Sequence, residues 1–293
     1  MIKIRQLQYF TRLYEEGSVT RAAKRLNIVQ PALSIQIAKL EDEFGESLFV
    51  RTPKGMVPTD AAHRAYELFK PLIRDLLAAQ QEMKSRSSQI SGPVCFGIIA
   101  AVARSIVISA VNQLVVSNPT VTVSATGGYT WELVEEVRSD RLDFAIVTST
   151  ADSARLPHIP IVHENLQLVG FGIELPPTVN LYDIDDTSLI IPSKRHGLRT
   201  AIAQIAARVG VIFRPRIELD DINLILDFLD HDEWTSILPI TAVNLSRVPL
   251  NISKIQNPTI PRHLICVHSP HRPLSKASQQ LIDLLVERLR TIR

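Results

Sequence analysis

Between residues 4 and 51 the apolar side chains recur at helical spacing, and the breaks between them leave room only for tight turns. Leu7, Phe10, Leu13 and Tyr14 make the first stripe, and Gly17 stops it. Ser18 is a suitable N-cap for a short helix from Val19 to Leu26, and Asn27 and Ile28 turn the chain. A third helix is expected from Pro31 to Phe44. Proline suits its first turn, where the missing N–H costs nothing. Leu33, Ile37, Leu40 and Phe44 form its buried stripe, and Gly45 ends it. Residues 47–58 (SLFVRTPKGMVP) read as two short strands around a Pro-Lys-Gly turn. Helix, turn, helix and β-wing over residues 18–51 predict a winged helix-turn-helix, a device that lays its last helix in a major groove.

The residue types at the start of that helix suit base edges. They are Val29, Gln30, Pro31, Ala32, Ser34, Ile35 and Gln36. Gln30 can pair with adenine N6 and N7, Ser34 with a base or a phosphate, and Ala32 with a thymine methyl. Arg51 and Lys54 on the wing can meet phosphate or a narrow minor groove. Ser18, Arg21 and Lys39, with Arg5, are candidates for the phosphate backbone. Charge supports this division of labour. Residues 1–90 hold 14 Lys/Arg against 10 Asp/Glu, and the remainder holds 18 against 20, so a net charge of +2 hides a basic head on a faintly acidic body.

Residues 59–88 predict one long helix capped by Thr59. Its stripe runs through Ala62, Tyr66, Phe69, Leu72, Ile73, Leu76 and Leu77. No neighbour in sequence is expected to cover it, so a partner chain is its cover, with Tyr66, Phe69, Leu72, Ile73, Leu76 and Leu77 as dimerisation residues. Pro71 should kink this helix. Residues 85–93 (SRSSQISGP) have hinge composition.

From residue 94 strands and helices alternate, which predicts parallel α/β structure. Strands are expected at 94–99, 121–125 and 142–148, with helices near 101–116 and 130–139. A second set follows, with strands near 161–171, 188–191, 215–219 and 235–238 and helices near 197–209 and 221–230. A last strand (263–268) and helix (275–291) close the chain. Two lobes with a ligand cleft between them are the expected result.

Several classes are excluded. With 45% hydrophobic and 21% charged residues the chain is neither disordered nor fibrous. Its longest apolar run, Val94 to Ala103, is about half a membrane span. The charged start carries no apolar leader core, and Cys95 and Cys266 cannot build a disulfide framework, so a reducing cytoplasm is the expected compartment and no membrane partner is expected. Cys266, His268 and His271 are poor metal ligands, because no carboxylate accompanies them in sequence. The turn His231-Asp232-Glu233 reads as solvated, and Trp234 either packs or leans into the cleft. No catalytic motif, metal or cofactor is expected.

The run Ala22-Ala23, Leu26, Gln30-Pro31-Ala32-Leu33-Ser34, Ile37, Leu40-Glu41, Gly45, Leu48-Phe49 and Arg51 resembles the LysR-type transcriptional regulators over the full length of the chain. The resemblance implies a multidomain protein. Residues 1–58 would be a winged helix-turn-helix DNA-binding domain, and 59–90 a linker and dimerisation helix. Residues 91–293 would be an α/β two-lobed effector domain like the type II periplasmic binding proteins. Lobe I would be about 91–160 plus 264–293, and lobe II about 161–263. It also implies a dimer of dimers on double-stranded promoter DNA, with RNA polymerase as a further partner and a small organic co-inducer in the cleft. The co-inducer's implied contacts are Ala100, Ala101 and Val102, then Tyr129 and Thr130, then Thr148 and Ser149, and Ser193, Lys194, Arg195 and His196. Helix N-termini near 101, 130 and 197 favour a carboxylate, and Lys194, Arg195 or His196 would supply positive charge. Ile35 replaces the Arg frequent in relatives, so an A·T-leaning half-site is expected. Two other classes compete: a solute-binding protein, and a two-lobed enzyme with Cys95 or Cys266 as nucleophile.

Overall fold

The computed structural model describes residues 2–53, 55–84, 90–102, 104–231 and 233–291. Lys54, Asp232 and most of the 85–93 hinge lie outside them. The chain divides into two compact units, Met1–Ser88 and Gln89–Arg293.

The first unit holds α1 (Ile4–Glu16), α2 (Val19–Arg25), α3 (Gln30–Phe44), β1 (Phe49–Thr52), β2 (Gly55–Pro58) and α4 (Asp60–Lys84). Gly17 and Gly45 end α1 and α3 in the left-handed region, at φ 58° and 70°. Helix α3 starts one residue earlier than the proline suggests, because Val29 is already an extended N-cap. Phe10, Leu13, Leu33, Leu40 and Leu48 are fully buried and make the centre of the head. The wing is tied to the same helix: Glu41 Oε1 accepts the backbone N–H groups of Leu48 (2.7 Å) and Phe49 (3.1 Å).

The wing also needs a glycine. Gly55 sits at φ 125°, and a Cβ there would lie 2.6 Å from the Gly17 carbonyl oxygen, beside the Met56 N–H bond to that same oxygen (3.0 Å). Gly55→Ala is therefore expected to cost the head about 1–3 kcal/mol, read as a lower melting temperature of the head.

Helix α4 corrects one expectation. Its first turns are covered by the head itself, since α1 packs along α4. Ala62 and Ala65 belong to the head core, Tyr66 stacks on Tyr14 with ring centroids 3.9 Å apart, and Phe69 stacks on Phe44 at 5.9 Å. Tyr66 and Phe69 thus each pack on an aromatic ring of the same chain and stay half-exposed. Ile73 is buried and Leu76 half-buried. Among the described side chains of α4 the exposed large apolar ones are Leu72 and Leu77, joined by Leu68, one turn before Leu72 and outside the expected stripe.

The second unit begins with β3 (Gly92–Ile98), α5 (Arg104–Ser117), β4 (Val121–Gly127), α6 (Thr130–Arg138) and β5 (Phe144–Thr148). These three strands are parallel, as the alternation predicts. Next come β6 (His158–Gly170), β7 (Thr178–Asn180), β8 (Leu189–Ile191), α7 (Gly197–Arg208), β9 (Ile217–Glu218), α8 (Ile222–Phe228), β10 (Thr235–Pro239), α9 (Ile240–Val243), β11 (Asn251–Gln256), β12 (Pro261–His268) and α10 (Lys276–Arg290). The strand order is β4-β3-β5-β12-β6-β10-β8-β9, with β11 beside β6 and β7.

The sheet is mixed rather than parallel throughout, because β12 returns from the far lobe and runs antiparallel to both β5 and β6. Strand β6 joins the lobes. Residues 158–165 pair with β12, and residues 166–170 pair with β10. Each lobe keeps its own core, one around Phe96, Phe144, Leu133 and Leu281, the other around Leu166, Ile190, Leu198, Ile225 and Ile237. The cleft therefore lies where two separately packed cores meet along continuous strands.

Candidate DNA-reading face and effector cleft

Helix α3 is sorted by its own period. Leu33, Ile37 and Leu40 point into the head, and the intervening residues are left outside. Val29 and Ile35 are large apolar side chains standing 69% and 54% exposed, an arrangement that burial alone does not explain. Gln30, Pro31, Ser34 and Lys39 are also exposed, and Ala32 and Gln36 half-exposed. Gln30 is held at the helix start by donating from Nε2 to Thr20 Oγ1 (2.8 Å). Ser18 caps α2 by accepting from the Arg21 N–H (3.5 Å). Arg21 is exposed and pairs with Glu16 (3.6 Å), as does Arg25 (3.1 Å). Arg51 is exposed on the wing. One surface thus gathers the polar and apolar groups that base edges need, with cations around it.

In the second unit a cavity of about 520 Å³ opens where the β-strand ends of the two lobes face each other. Its wall is apolar: Ile98, Ile99, Ala100, Val102, Val107 and Ile108. Its polar end holds Tyr129, Thr130, Thr148, His196, Asp220, Asp221 and Asn223, with Gly127, Gly128 and Gly197 between them. At Gly197 the start of α7 comes up against Thr130 and Thr148, and a Cβ there would be in ordinary contact with both (3.6 and 3.8 Å).

Six of the expected contacts line this cavity: Ala100, Val102, Tyr129, Thr130, Thr148 and His196. Five do not. Ala101 is fully buried in the core of the second lobe. The Ser149 N–H donates to the His263 carbonyl (2.8 Å) beside the cavity. Ser193 closes a turn, with the His196 N–H on its carbonyl (3.0 Å), and that turn leaves Lys194 and Arg195 exposed to solvent. Trp234 packs edge-on to Phe228 (5.6 Å) under Arg216 (5.9 Å) and stays out of the cavity.

The acidic pair Asp220-Asp221 was missed. Its signal was available, because it stands at a strand end before an N-terminus, where Asp221 caps α8 by accepting from the Asn223 N–H (2.8 Å). Hydrogen bonds from Ser193, and then from Tyr129, hold the Asp220 carboxyl below its usual range. The Tyr129 phenol is raised in turn, chiefly by that bond to Asp220.

His196 is the opposite case. Burial, and then the nearby Arg262 charge, push its pKa down to about 4, so it is neutral near pH 7. The unfolded chain protonates this imidazole near pH 6.5, and the native state resists until about pH 4. The stability it contributes is thus complete above pH 6.5 and lost as pH falls toward 4. The expected loss is about 3 kcal/mol by thermal melts across that window, and His196→Gln flattens the profile.

Below the cavity lies a network that sequence reasoning did not find. Arg262 on β12 is fully buried and stands opposite Glu164 on β6. Arg262 Nη1 pairs with Glu164 Oε1 (3.0 Å), and its Nε donates to Thr148 Oγ1 (3.3 Å). Glu164 also accepts the N–H (3.1 Å) and the hydroxyl (2.9 Å) of Thr241, the second residue of α9. One ion pair thereby ties the cavity residue Thr148 of one lobe to a helix of the other.

Cys266 is not poised for chemistry. Cys266 is buried, and that burial pushes its thiol well above the usual range. Among the described residues no group of three or more His, Cys, Asp or Glu is placed to hold a metal ion, and no helix is long and apolar enough to cross a membrane.

A winged helix-turn-helix followed by a long helix and a two-lobed α/β unit with a cleft defines a ligand-responsive DNA-binding protein. Two family models agree. Residues 4–63 match the bacterial regulatory helix-turn-helix protein of the lysR family, and residues 87–290 match the LysR substrate binding domain. The chain belongs to the LysR family of transcriptional regulators. It is 25% identical over 288 residues to the nitrogen assimilation regulatory protein nac of Klebsiella aerogenes, covering 97% of this chain and 94% of that one. It is 23% identical to the dual regulator OxyR of Escherichia coli K12, covering 98% and 96%. Full-length OxyR of Pseudomonas aeruginosa, solved as a cysteine-to-aspartate variant, superposes with a TM-score of 0.73 at 18% identity, covering 100% and 99%. CbnR in complex with its target DNA gives 0.67 at 20%, covering 98% and 100%. These relatives are regulators, so the protein is a DNA-binding transcriptional regulator with an effector domain, and not an enzyme or a solute-binding protein.

Proposed function

We propose that residues 1–58 read promoter DNA, residues 59–90 pair two chains, and residues 91–293 sense a small organic effector that alters promoter binding or activation. The observation that carries the DNA reading is the exposed start of α3. Val29, Gln30, Pro31, Ala32, Ser34, Ile35 and Gln36 would face base edges, and Ser18, Arg21, Lys39, Arg51 and Lys54 the phosphates. Ile35 in place of a guanidinium supports an A·T-leaning half-site. The exposed Leu68, Leu72 and Leu77 support pairing of α4 with a second copy, and a dimer of dimers would place paired heads on successive half-sites. RNA polymerase is a further proposed partner, no resident cofactor is proposed, and the cytoplasm is the compartment that this work requires.

The test is a fluorescence-anisotropy titration against the protein's own upstream DNA. Affinity should fall linearly in log–log form with salt. Gln30→Ala should weaken specific binding by about 1–3 kcal/mol, roughly 5- to 150-fold, and leave non-specific binding unchanged. No binding at low salt would overturn the reading.

For the cleft, the proposed contacts are Ala100, Val102, Tyr129, Thr130, Thr148 and His196, with Asp220 and Gly197 added by the cavity. Its apolar wall suits a hydrocarbon or aromatic body. A carboxylate on that body would be received by the N–H groups at the starts of α6 and α7 other than those of Tyr129 and Leu198, which Glu132 and His196 already accept.

A further inference from the structure

We infer that the effector of this cleft carries a protonated amine and that Asp220 is its counter-ion. The inference rests on the reading of the cavity as the effector site. Among the described side chains lining the cavity the charged ones are Asp220 and Asp221, and neither a lysine nor an arginine stands with them. Asp221 is committed to capping α8, accepting from both the backbone N–H and the side chain of Asn223 (2.8 and 2.7 Å). Asp220 is not so committed. Its Oδ1 is buried and has no hydrogen-bond partner, although Ser193 and Tyr129 hold the carboxylate ionised. A buried carboxylate oxygen left without a donor is costly in the empty site and strong in a filled one.

Among the described residues no ion pair to Asp220 is formed. His196 is uncharged near pH 7, and Arg262 beneath is engaged by Glu164. Lys194 and Arg195, the cations expected here, are exposed, with the Arg195 charge felt at Tyr129 and neither side chain lining the cavity. An effector that is only an anion would meet repulsion from Asp220 and Asp221, whereas an ammonium group, alone or beside a carboxylate held at the helix starts, would gain a charge-assisted hydrogen bond. Tyr129 enters from the N-terminus of α6 in one lobe, and Asp220 from the strand end before α8 in the other. An arriving amine would compete with the phenol for the carboxylate, so binding would exchange one link between the lobes for another.

The experiment is a thermal-shift and calorimetric screen of the full chain. The probes are the twenty amino acids, their decarboxylated amines and their deaminated acids, matched in skeleton. Amino acids or amines should bind, with the deaminated partner of any hit at least tenfold weaker. Asp220→Asn should cost an amine-bearing hit at least tenfold, and Tyr129→Phe, which removes the competing donor, should strengthen it several-fold. The second variant keeps the test decisive if Asp220→Asn fails to fold. Deaminated acids binding as well as or better than their amines would overturn the charge assignment and leave the cleft as an effector site. No stabilisation by any probe at 10 mM, on the order of the weakest useful affinities, would overturn both.

Discussion

Glu164→Ala is expected to destabilise the effector unit by about 3–5 kcal/mol, the cost of stranding a buried charge. Arg262 has no exposed surface through which water could replace the lost carboxylate, and one of its nitrogens, Nη2, is already unpartnered. At the size of this unit the change should lower its melting temperature by roughly 6–20 °C. Thr241 loses its acceptor as well, so the start of α9 loosens from β6. The double change Glu164→Leu/Arg262→Leu removes both charges and should recover most of the loss, because desolvation consumes much of what a buried pair supplies. That recovery separates a stranded charge from a simple cavity. Since Arg262 also donates to Thr148 on the cavity wall, the double variant should fold yet couple effector to DNA poorly. A melting temperature unmoved by Glu164→Ala, measured by calorimetry on the full chain, would show that the pair contributes nothing.

Leu72→Asp is expected to separate the proposed dimer. Leu72 is 62% exposed on α4 in the single chain, and Leu68, one turn before it, is 67% exposed. Burying a leucine is worth about 1.5–3 kcal/mol, and a two-fold interface counts each substitution twice. Loss of both leucines alone therefore raises the dimer dissociation constant by roughly 150-fold or more, and two buried carboxylates facing each other add to it. Light scattering at micromolar concentration should show half the mass of the parent. DNA affinity should fall in parallel, because each head would then hold only its own half-site. By contrast Phe69→Ala should lower head stability without halving the mass, since Phe69 stacks on Phe44 within one chain. An unchanged mass for Leu72→Asp would refute this face as the interface.

These two predictions separate what periodicity reveals from what it conceals. The stripe on α4 was legible, because residues three and four apart share a helix face. Its partner was not, since a pattern says that a face is apolar and never what covers it. Here α1 of the same chain covers the first half. The cavity shows the same limit. Of the contacts that the family resemblance implied, Ala100, Tyr129, Thr130, Thr148 and His196 come together on the cavity wall. The direction of a side chain in a turn depends on bonds such as His196 N–H to the Ser193 carbonyl, and so Lys194 and Arg195, expected at the site, stand exposed outside the cavity wall.

By itself the sequence determined the head, the long helix, the α/β alternation of the lobes and the side of α3 that stays outside. Each of these follows from local spacing, from glycines at left-handed positions and from caps, all of which act within a few residues. Only the tertiary structure decided that the cavity ends in Asp220, that Arg262 lies beneath it on Glu164, and that β12 runs between β5 and β6. Those facts join residues about 100 positions apart, Arg262 to Glu164 across 98 and to Thr148 across 114. No local period carries them. They are set by which strands become neighbours when two separate cores close on the same pair of crossing strands.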